Sequence, residues 1–227
     1  MKNIAEQPKM SSSAYTSTYL PLMLLQSGLF VATWTAVDVF VNRHGPVSAF
    51  RGITSFNSRF YSLVSVLLLV ATLAPSLGDT ARKCYHISKF YEYVDIINVR
   101  ASGGQIGLHF GFHHLTTPYF TFFRVLQHHR RWEVFAALNA FHHVLMYAYF
   151  GGLQAVRPVL DWTGQAQLII GIAVEAWCIG EARAAGDALW PHVFGGGLLS
   201  GYLCLSVRDL MMRSHWEKQE ARGKKEG

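Results

Sequence analysis

The residues of this 227-residue chain that are best suited to chemistry lie between Gln105 and Tyr149. Seven of the eleven histidines fall in this stretch, and five of them lie within segments that are apolar enough to be buried in a membrane. An imidazole in hydrocarbon is costly unless it has a partner or a function, so these histidines are candidates for catalysis. A neutral imidazole is nucleophilic and exchanges protons near neutral pH, because its ordinary pKa is about 6.5.

The polar residues of this stretch form two stripes at helical spacing. His109 and His113 stand four residues apart and share one face of a helix, with His114 about 100° round the axis. On the next apolar segment a second stripe repeats at the same spacing: Asn139, His143 and Tyr147. Only the turn from Arg124 to Glu133 separates the two segments. This predicts antiparallel neighbours whose stripes face each other across one cavity.

The composition is typical of a membrane protein. The chain is 51% hydrophobic and 15% charged, whereas soluble proteins average about 25% charged residues. The apolar residues come in long blocks, which predicts one all-α, polytopic membrane helix bundle with seven transmembrane helices. The net charge of +6 lies largely in turns and a basic tail, which indicates topology or anionic lipid and not nucleic acid. The three cysteines are scattered and fit no metal or redox spacing.

We predict the domain limits and spans as follows. A disordered tail covers residues 1–14, the seven-helix domain 15–212, and a basic cytosolic tail 213–227, while 42–60 forms an extramembrane loop. The predicted spans are 19–41, 61–77, 84–100, 105–123, 134–150, 165–179 and 192–212. The third span is ambiguous, because its charged residues recur every three positions. It is either a helix whose charged face lines a protein interior or an amphipathic helix at the membrane surface.

Seven spans place the two termini on opposite sides of the membrane. If the carboxyl terminus is cytosolic, the cytosolic side carries 11 of the 20 lysines and arginines, which is the expected direction of the charge bias. The last four residues, 224–227, look like a dilysine retrieval signal of the endoplasmic reticulum. We therefore predict a multi-pass protein of the endoplasmic reticulum membrane with a cytosolic C-terminus.

Three polar boxes follow one another in a fixed order. They are Lys89-x-x-Glu92-x-x-Asp95, then Gln105 with His113-His114 eight residues on, then Asn139-x-x-x-His143-x-x-Met146-Tyr147-x-Tyr149. Together with the pair Phe56-Asn57, they resemble the ELO family over about residues 56–150. Proteins of that family are seven-helix fatty-acid elongases of the endoplasmic reticulum.

The chain departs from the family pattern at several positions. The family's first histidine box is His-x-x-His-His, and Phe110 occupies the slot of its first histidine, with His109 one residue earlier. Ile96 replaces a threonine, Phe150 replaces a tyrosine, and a later Thr-x-x-Gln-x-x-Gln pattern is kept only loosely in residues 163–167.

The resemblance implies condensation of a long-chain acyl-CoA with malonyl-CoA to 3-oxoacyl-CoA, CO2 and CoA, with no cofactor and no metal. No cysteine lies in a box, so the expected nucleophile is an imidazole, and an acyl-histidine would split the reaction into two steps. The expected catalytic residues are His113 as the acylated group, His143, His114, His109, Asn139 and Tyr147. The expected substrate-binding residues are Lys89, Glu92, Asp95, Gln105, Met146 and Tyr149, the first three as a network that positions helices or CoA phosphates.

Further partners follow from the same resemblance. The chain has no nucleotide-binding fingerprint, so separate reductases and a dehydratase are expected to complete an elongation cycle, and a homodimer is left open. Two other classes also remain open. One is a di-iron desaturase or hydroxylase, since imidazoles suit iron and the chain has three His-His pairs. The other is a non-catalytic seven-helix lipid-binding protein.

Overall fold

The structure is a computed structural model that describes residues 12–127 and 129–226, with side chains for 19–127 and 129–212. Within these residues it is all-helical and contains no strand, which confirms the predicted class. Its α-helices are α1 (Ser12–His44), α2 (Ala49–Leu73), α3 (Gly78–Tyr91), α4 (Tyr93–Ala101), α5 (Leu108–Thr121), α6 (Trp132–Phe150), α7 (Arg157–Ala185) and α8 (Trp190–Glu226). Short 3₁₀ turns cover Pro75–Leu77 and Gln154–Val156, and a π-helical segment, Phe122–Leu126, continues α5.

Six helices form a closed ring. Going round it, α2 packs on α6, α6 on α7, α7 on α8, α8 on α5, α5 on α3, and α3 returns to α2. Helix α4 continues α3 after a break at Glu92, and α1 packs against α4 and α5 from outside the ring. The prediction that the two histidine helices are direct neighbours is wrong. Helix α5 lies beside α3 and α8, and α6 lies beside α2 and α7, because the interior between them is a cavity.

Several predicted boundaries also need correction. Helix α2 begins at Ala49, inside the stretch predicted as a loop, because a helix tolerates exposed arginines such as Arg51 and Arg59 on one side. Helix α5 begins at Leu108 and leaves Gln105 in the preceding loop. Helix α8 runs to Glu226, so the basic tail continues a helix. The predicted disordered tail lies mostly outside the described residues, which begin at Ser12 within it.

Membrane spanning is supported for two helices among the described residues. Tyr19–His44 and Ala49–Leu73 are long and apolar enough to cross a membrane. The count of seven transmembrane helices stays a prediction.

The segment 84–100, which the sequence left ambiguous, packs with its charged side chains toward the protein interior. Lys89, Glu92 and Asp95 are buried, whereas Ile87 and Val94 on the same helical pair are exposed. An interfacial amphipathic helix would show the opposite arrangement, with charges in water and apolar residues on the protein. Of the two alternatives left open, the structure therefore has the helix whose charged face lines the protein interior.

The end of the ring that holds the α5–α6 turn is closed by packing and by a buried ion pair. Phe120, Phe135, Leu168, Leu199 and Tyr202 form an apolar layer across it. Beyond this layer, Arg124 of the π segment donates to Glu175 Oε1 over 2.5 Å, and both side chains are almost fully buried. Pro118, four residues before the π segment, has no N–H for the helix ladder, which favours such an irregularity.

Helix α8 contains two glycines that differ sharply in their surroundings. A Cβ on Gly195 would collide with Glu175 Oε1 and approach Arg124 Cδ to 3.3 Å, whereas a Cβ on Gly197 meets nothing within 4 Å. Gly195 therefore allows the close packing of α8 on α7. Because Glu175 is held in a buried ion pair, its carboxylate cannot move aside without weakening that pair.

We therefore predict that Gly195→Ala destabilises the protein by about 1–3 kcal/mol through overpacking. Gly197→Ala is the matched control and should be neutral or stabilising by up to about 1 kcal/mol, because alanine is the better helix former. Thermal unfolding of both variants in the same detergent measures the difference. Equal unfolding temperatures would contradict the close approach of α7 and α8 at Gly195.

Candidate active site

The ring encloses a cavity of about 990 Å³. Its walls come from α2, α4, α5, α6, α7 and α8 and from the loop before α5. The lining includes His109, Phe110, His113 and His114 from α5, His142, His143, Met146, Tyr147 and Tyr149 from α6, Asp161 and Gln167 from α7, Asp209 from α8, and Asp95 and Gln105. The two predicted polar stripes thus face one cavity, as expected from their spacing, although their helices are not adjacent.

The Glu92 carboxylate is the centre of the polar network beside this cavity. Lys89 Nζ donates to Glu92 Oε1 over 2.6 Å, and the Tyr61 hydroxyl donates to the same oxygen over 3.2 Å. His143 Nδ1 lies 3.3 Å from Oε1, and His114 Nδ1 lies 3.8 Å from Oε2. Because Glu92 is 0% exposed, these donors replace the water that an ionised carboxylate would otherwise need.

The Asn139 amide fixes the tautomer of His143. Its carbonyl oxygen accepts from Lys89 Nζ over 2.5 Å and from the Tyr85 hydroxyl over 2.9 Å. The amide nitrogen must therefore face the other way, where it lies 3.3 Å from His143 Nε2. An N–H donor opposite Nε2 makes that nitrogen the acceptor, so the proton of a neutral His143 sits on Nδ1 and points to Glu92.

Asp95 holds a second set of hydroxyl and amide donors. Asn57 Nδ2 donates to Asp95 Oδ1 over 2.8 Å, the Tyr147 hydroxyl donates to Oδ2, and the Tyr91 hydroxyl donates to the Asn57 oxygen. These bonds join α2, α3, α4 and α6 at one level of the ring. Asp95 therefore positions the Tyr147 side chain in the cavity wall.

His113 is the box histidine most open to the cavity. It is partly exposed, whereas His114 and His143 are buried. Its Nδ1 makes no hydrogen bond to any described residue, while both nitrogens of His143 have polar neighbours. His109 lies with its ring centroid 5.9 Å from that of His113, and Phe110 packs edge-on against His114 at 4.6 Å.

The predicted residues divide into two groups by position. Asp95, Gln105, Met146 and Tyr149 line the cavity with the box histidines and Tyr147, whereas Lys89 and Glu92 are buried behind them. Lys89 already bonds Glu92 and Asn139. Two roles were predicted for Lys89, to position helices or to position CoA phosphates. Its location behind the cavity wall favours the first.

Sequence reasoning missed several members of the network. The residues not selected are Tyr61, Tyr85 and Gln167. Tyr61 contacts Glu92, and Tyr85 contacts Asn139. Gln167 Oε1 lies 3.4 Å from Asn139 Nδ2. Tyr61 could have been selected from the sequence, because it lies four residues after Asn57 and therefore on the same helical face.

Three side chains of the site have metal-ligand chemistry. Donor atoms of Glu92, His113 and His143 all lie within 4.8 Å of one another. Lys89 lies 2.6 Å from the same carboxylate, and its ammonium charge opposes a cation there. The arrangement is therefore better suited to exchanging protons than to holding iron.

Comparison with known proteins agrees with this geometry. Residues 79–179 match the model of the ELO family, described as the GNS1/SUR4 family. This segment is similar to the ELO family. It includes all three boxes, and members of this family are membrane proteins of fatty-acid elongation. No curated protein and no solved structure matches the chain.

The Lys89–Glu92 pair gives a test of the network. Lys89→Met should destabilise the protein by about 3–5 kcal/mol, because it leaves the Glu92 carboxylate buried without its cation. The double variant with Glu92→Gln should recover part of that loss, since the neutral amide needs no counter-charge. Thermal unfolding in detergent of both single variants and the double variant gives the coupling. Additive losses would show that the two groups do not interact.

Proposed function

We propose that the chain is a condensing enzyme of fatty-acid elongation, which joins a long-chain acyl-CoA and malonyl-CoA to give 3-oxoacyl-CoA, CO2 and CoA. The observation that carries the proposal is the contrast between two histidines of one cavity. His113 lines the cavity with a partly exposed ring, whose buried Nδ1 makes no hydrogen bond to any described residue, while His143 is oriented by Glu92 and Asn139. One imidazole is thus available as a nucleophile and the other is prepared for proton exchange.

The first step is acyl transfer to His113. An imidazole nitrogen attacks the thioester carbonyl, the carbon–sulfur bond breaks, and the imidazole proton goes to the departing CoA thiolate. The apolar rings around His113, Tyr202 at 4.7 Å and Phe112 behind it, keep water away from the acyl-imidazole.

The second step uses malonyl-CoA. Its carbon–carboxylate bond breaks to release CO2, and the resulting enolate attacks the acyl carbon. The carbon–nitrogen bond to His113 then breaks, and a proton taken up from solvent restores the neutral imidazole. His143 relays this proton, because the Glu92 carboxylate 3.3 Å from its Nδ1 stabilises the imidazole while it carries a second proton. Asn139 and Lys89 hold that imidazole in place without contacting substrate.

The cavity lining suggests how the substrates lie. At the end opposite the apolar layer, Arg157 lines the cavity together with Gln105, and a guanidinium there suits the phosphates of CoA. The acyl chain then points past His113 toward Leu168 of the apolar layer. Reductases and a dehydratase act as partners on the 3-oxoacyl-CoA product, since its carbonyl must be reduced and removed before another round.

The proposal includes a location in the endoplasmic reticulum membrane with the C-terminus in the cytosol. Beyond the two apolar helices, α7 exposes Trp162 and Trp177 with Ile169 and Ile170 between them. Two tryptophans fifteen residues apart on a helix are separated by about 22 Å, which lies within the roughly 30 Å hydrocarbon core of a bilayer.

A di-iron enzyme is the second class considered. It needs many histidines around two ions, but Lys89 occupies the Glu92 carboxylate and the His142 Nδ1 lies 2.9 Å from Thr163 Oγ1. His128 of the turn lies outside the described residues. Iron analysis of the purified protein separates the classes, because two firmly held irons per chain would rule out the elongase proposal.

The decisive experiment is intact-mass spectrometry after incubation with a long-chain acyl-CoA and no malonyl-CoA. The wild-type protein should gain one acyl mass, mapped by digestion to His113, whereas His113→Ala should gain none. His44→Ala is the matched control, since His44 lies at the exposed end of α1. An adduct on another residue would overturn the role of His113.

Malonyl-CoA then tests the second step. Its addition should release CO2 and remove the acyl mass from the wild-type protein, and His143→Ala should slow this release by about 10²–10⁴-fold, the usual contribution of a proton-transfer group. Normal CO2 release in His143→Ala would contradict its role. A protein that binds acyl-CoA but forms neither adduct nor CO2 is a lipid-binding protein instead.

A further inference from the structure

A second group of metal-ligand side chains lies at the closed end of the ring, beyond the apolar layer. Glu175 and Cys178 stand one turn apart on α7, and His192 lies in the first turn of α8. All three are buried, with exposures of 1%, 1% and 4%. Their donor atoms lie within 4.8 Å of one another.

We propose that Glu175, Cys178 and His192 form a binding site for a divalent metal ion of the zinc class. Thiolate, imidazole and carboxylate are the donors that zinc prefers, and a tetrahedral ion spaces its ligand atoms about 3.3–3.7 Å apart. Glu175 Oε2 and His192 Nδ1 are 3.0 Å apart, so a small opening of this pair admits an ion between them. On binding, the Cys178 thiol gives its proton to solvent and the sulfur–metal bond forms.

The α5–α6 turn offers a fourth ligand. The ring of His129 lies 5.4 Å from that of His192, and its Nε2 is buried without a hydrogen bond to any described residue. A buried imidazole nitrogen without a partner is costly, and a metal ion would satisfy it. The turn is already close to the other donors, because Cys178 Sγ lies 3.8 Å from the Arg130 carbonyl oxygen.

Arg124 opposes a cation at Glu175 as Lys89 does at Glu92, but this group also holds a thiol, which gives up its proton on binding and adds a second negative ligand. Arg130 and Arg131 point outward to Asp187 and Glu181 at 3.9 and 2.9 Å, so their charges are directed to surface acids. Arg124 binds Glu175 Oε1, which leaves Oε2 for the ion. With an ionised thiol, the two negative ligands balance the charge of the ion, and Arg124 adds one positive charge.

Such an ion would join α7, α8 and the turn at the end away from the cavity. It therefore acts on the stability of the ring, independently of the reaction proposed for the cavity. The central group of Glu92, His113 and His143 is the competing location for an added metal, and any experiment must separate the two.

The test titrates the purified, metal-stripped full-length protein with Zn²⁺ by calorimetry and with Co²⁺ by absorption spectroscopy. We expect one tight zinc per chain and a thiolate-to-cobalt charge-transfer band. The variant Cys84→Ser/Cys204→Ser should keep both, because Cys178 is then the only cysteine and the two replaced residues are exposed. This variant needs no change at the site itself.

Two further variants assign the location. Cys178→Ser should abolish the charge-transfer band and weaken zinc binding at least tenfold, whereas His113→Ala should change neither. Loss of zinc binding in His113→Ala but not in Cys178→Ser would place the ion in the central cavity and overturn the proposal. Absence of stoichiometric zinc binding, or of the charge-transfer band in the variant with Cys178 as its only cysteine, would overturn it as well.

Discussion

The burial of the Glu92 carboxylate is the constraint on which the centre of the ring depends. A carboxylate removed from water must find a cation and several donors, or the folded state pays a penalty of several kcal/mol. Here Lys89 comes from the same helical pair, Tyr61 from α2 and His143 from α6. The contacts between α2, α3 and α6 are therefore set by one charge, and the same charge orients the imidazole that faces the cavity.

The two ends of the ring differ because their buried polar groups differ. At the open end, the polar lining residues have partners on only part of their surface and leave room for a ligand. At the closed end, Arg124 and Glu175 satisfy each other, and the apolar layer that includes Phe120, Phe135 and Tyr202 separates them from the histidines. The π segment matters for this division, since it changes the direction in which residues after Pro118 point and turns Arg124 into the interior.

Sequence patterns predicted those features that depend on local periodicity. The stripe of Asn139, His143 and Tyr147 was found because a helix repeats its face every three to four residues, and the hydrogen bonds of all three confirm that they point inward. The partners that meet them were not predictable in this way. Tyr61 reaches Glu92 from 31 residues away, and no local pattern encodes which helices will touch.

Two errors have the same physical origin. Arg124 was assigned to a polar turn and Arg51 and Arg59 to a loop, because charge was equated with exposure to water outside a helix. In the structure, Arg124 is 0% exposed and paired with Glu175, and Arg59 donates from α2 to the Gly151 carbonyl oxygen over 2.7 Å. An arginine is compatible with a helix wherever its five N–H groups find acceptors, and those acceptors come from distant parts of the chain.

Phe110 occupies the slot of the first histidine in the family's box, and the hydrogen bonds around Glu92 indicate what this replacement changes. Phe110 packs on His114 and lines the cavity, but the bonds that orient His143 come from Glu92 and Asn139. The orientation of His143 therefore does not depend on an imidazole at position 110, whereas Glu92 Oε2 and His114 Nδ1 are buried without a hydrogen bond to any described residue. The phenyl ring changes the polarity of the wall beside His113 and His114, and this makes neutral imidazoles more favourable there, because an apolar wall disfavours a charged ring. A neutral His113 is the form that the acyl-transfer step requires.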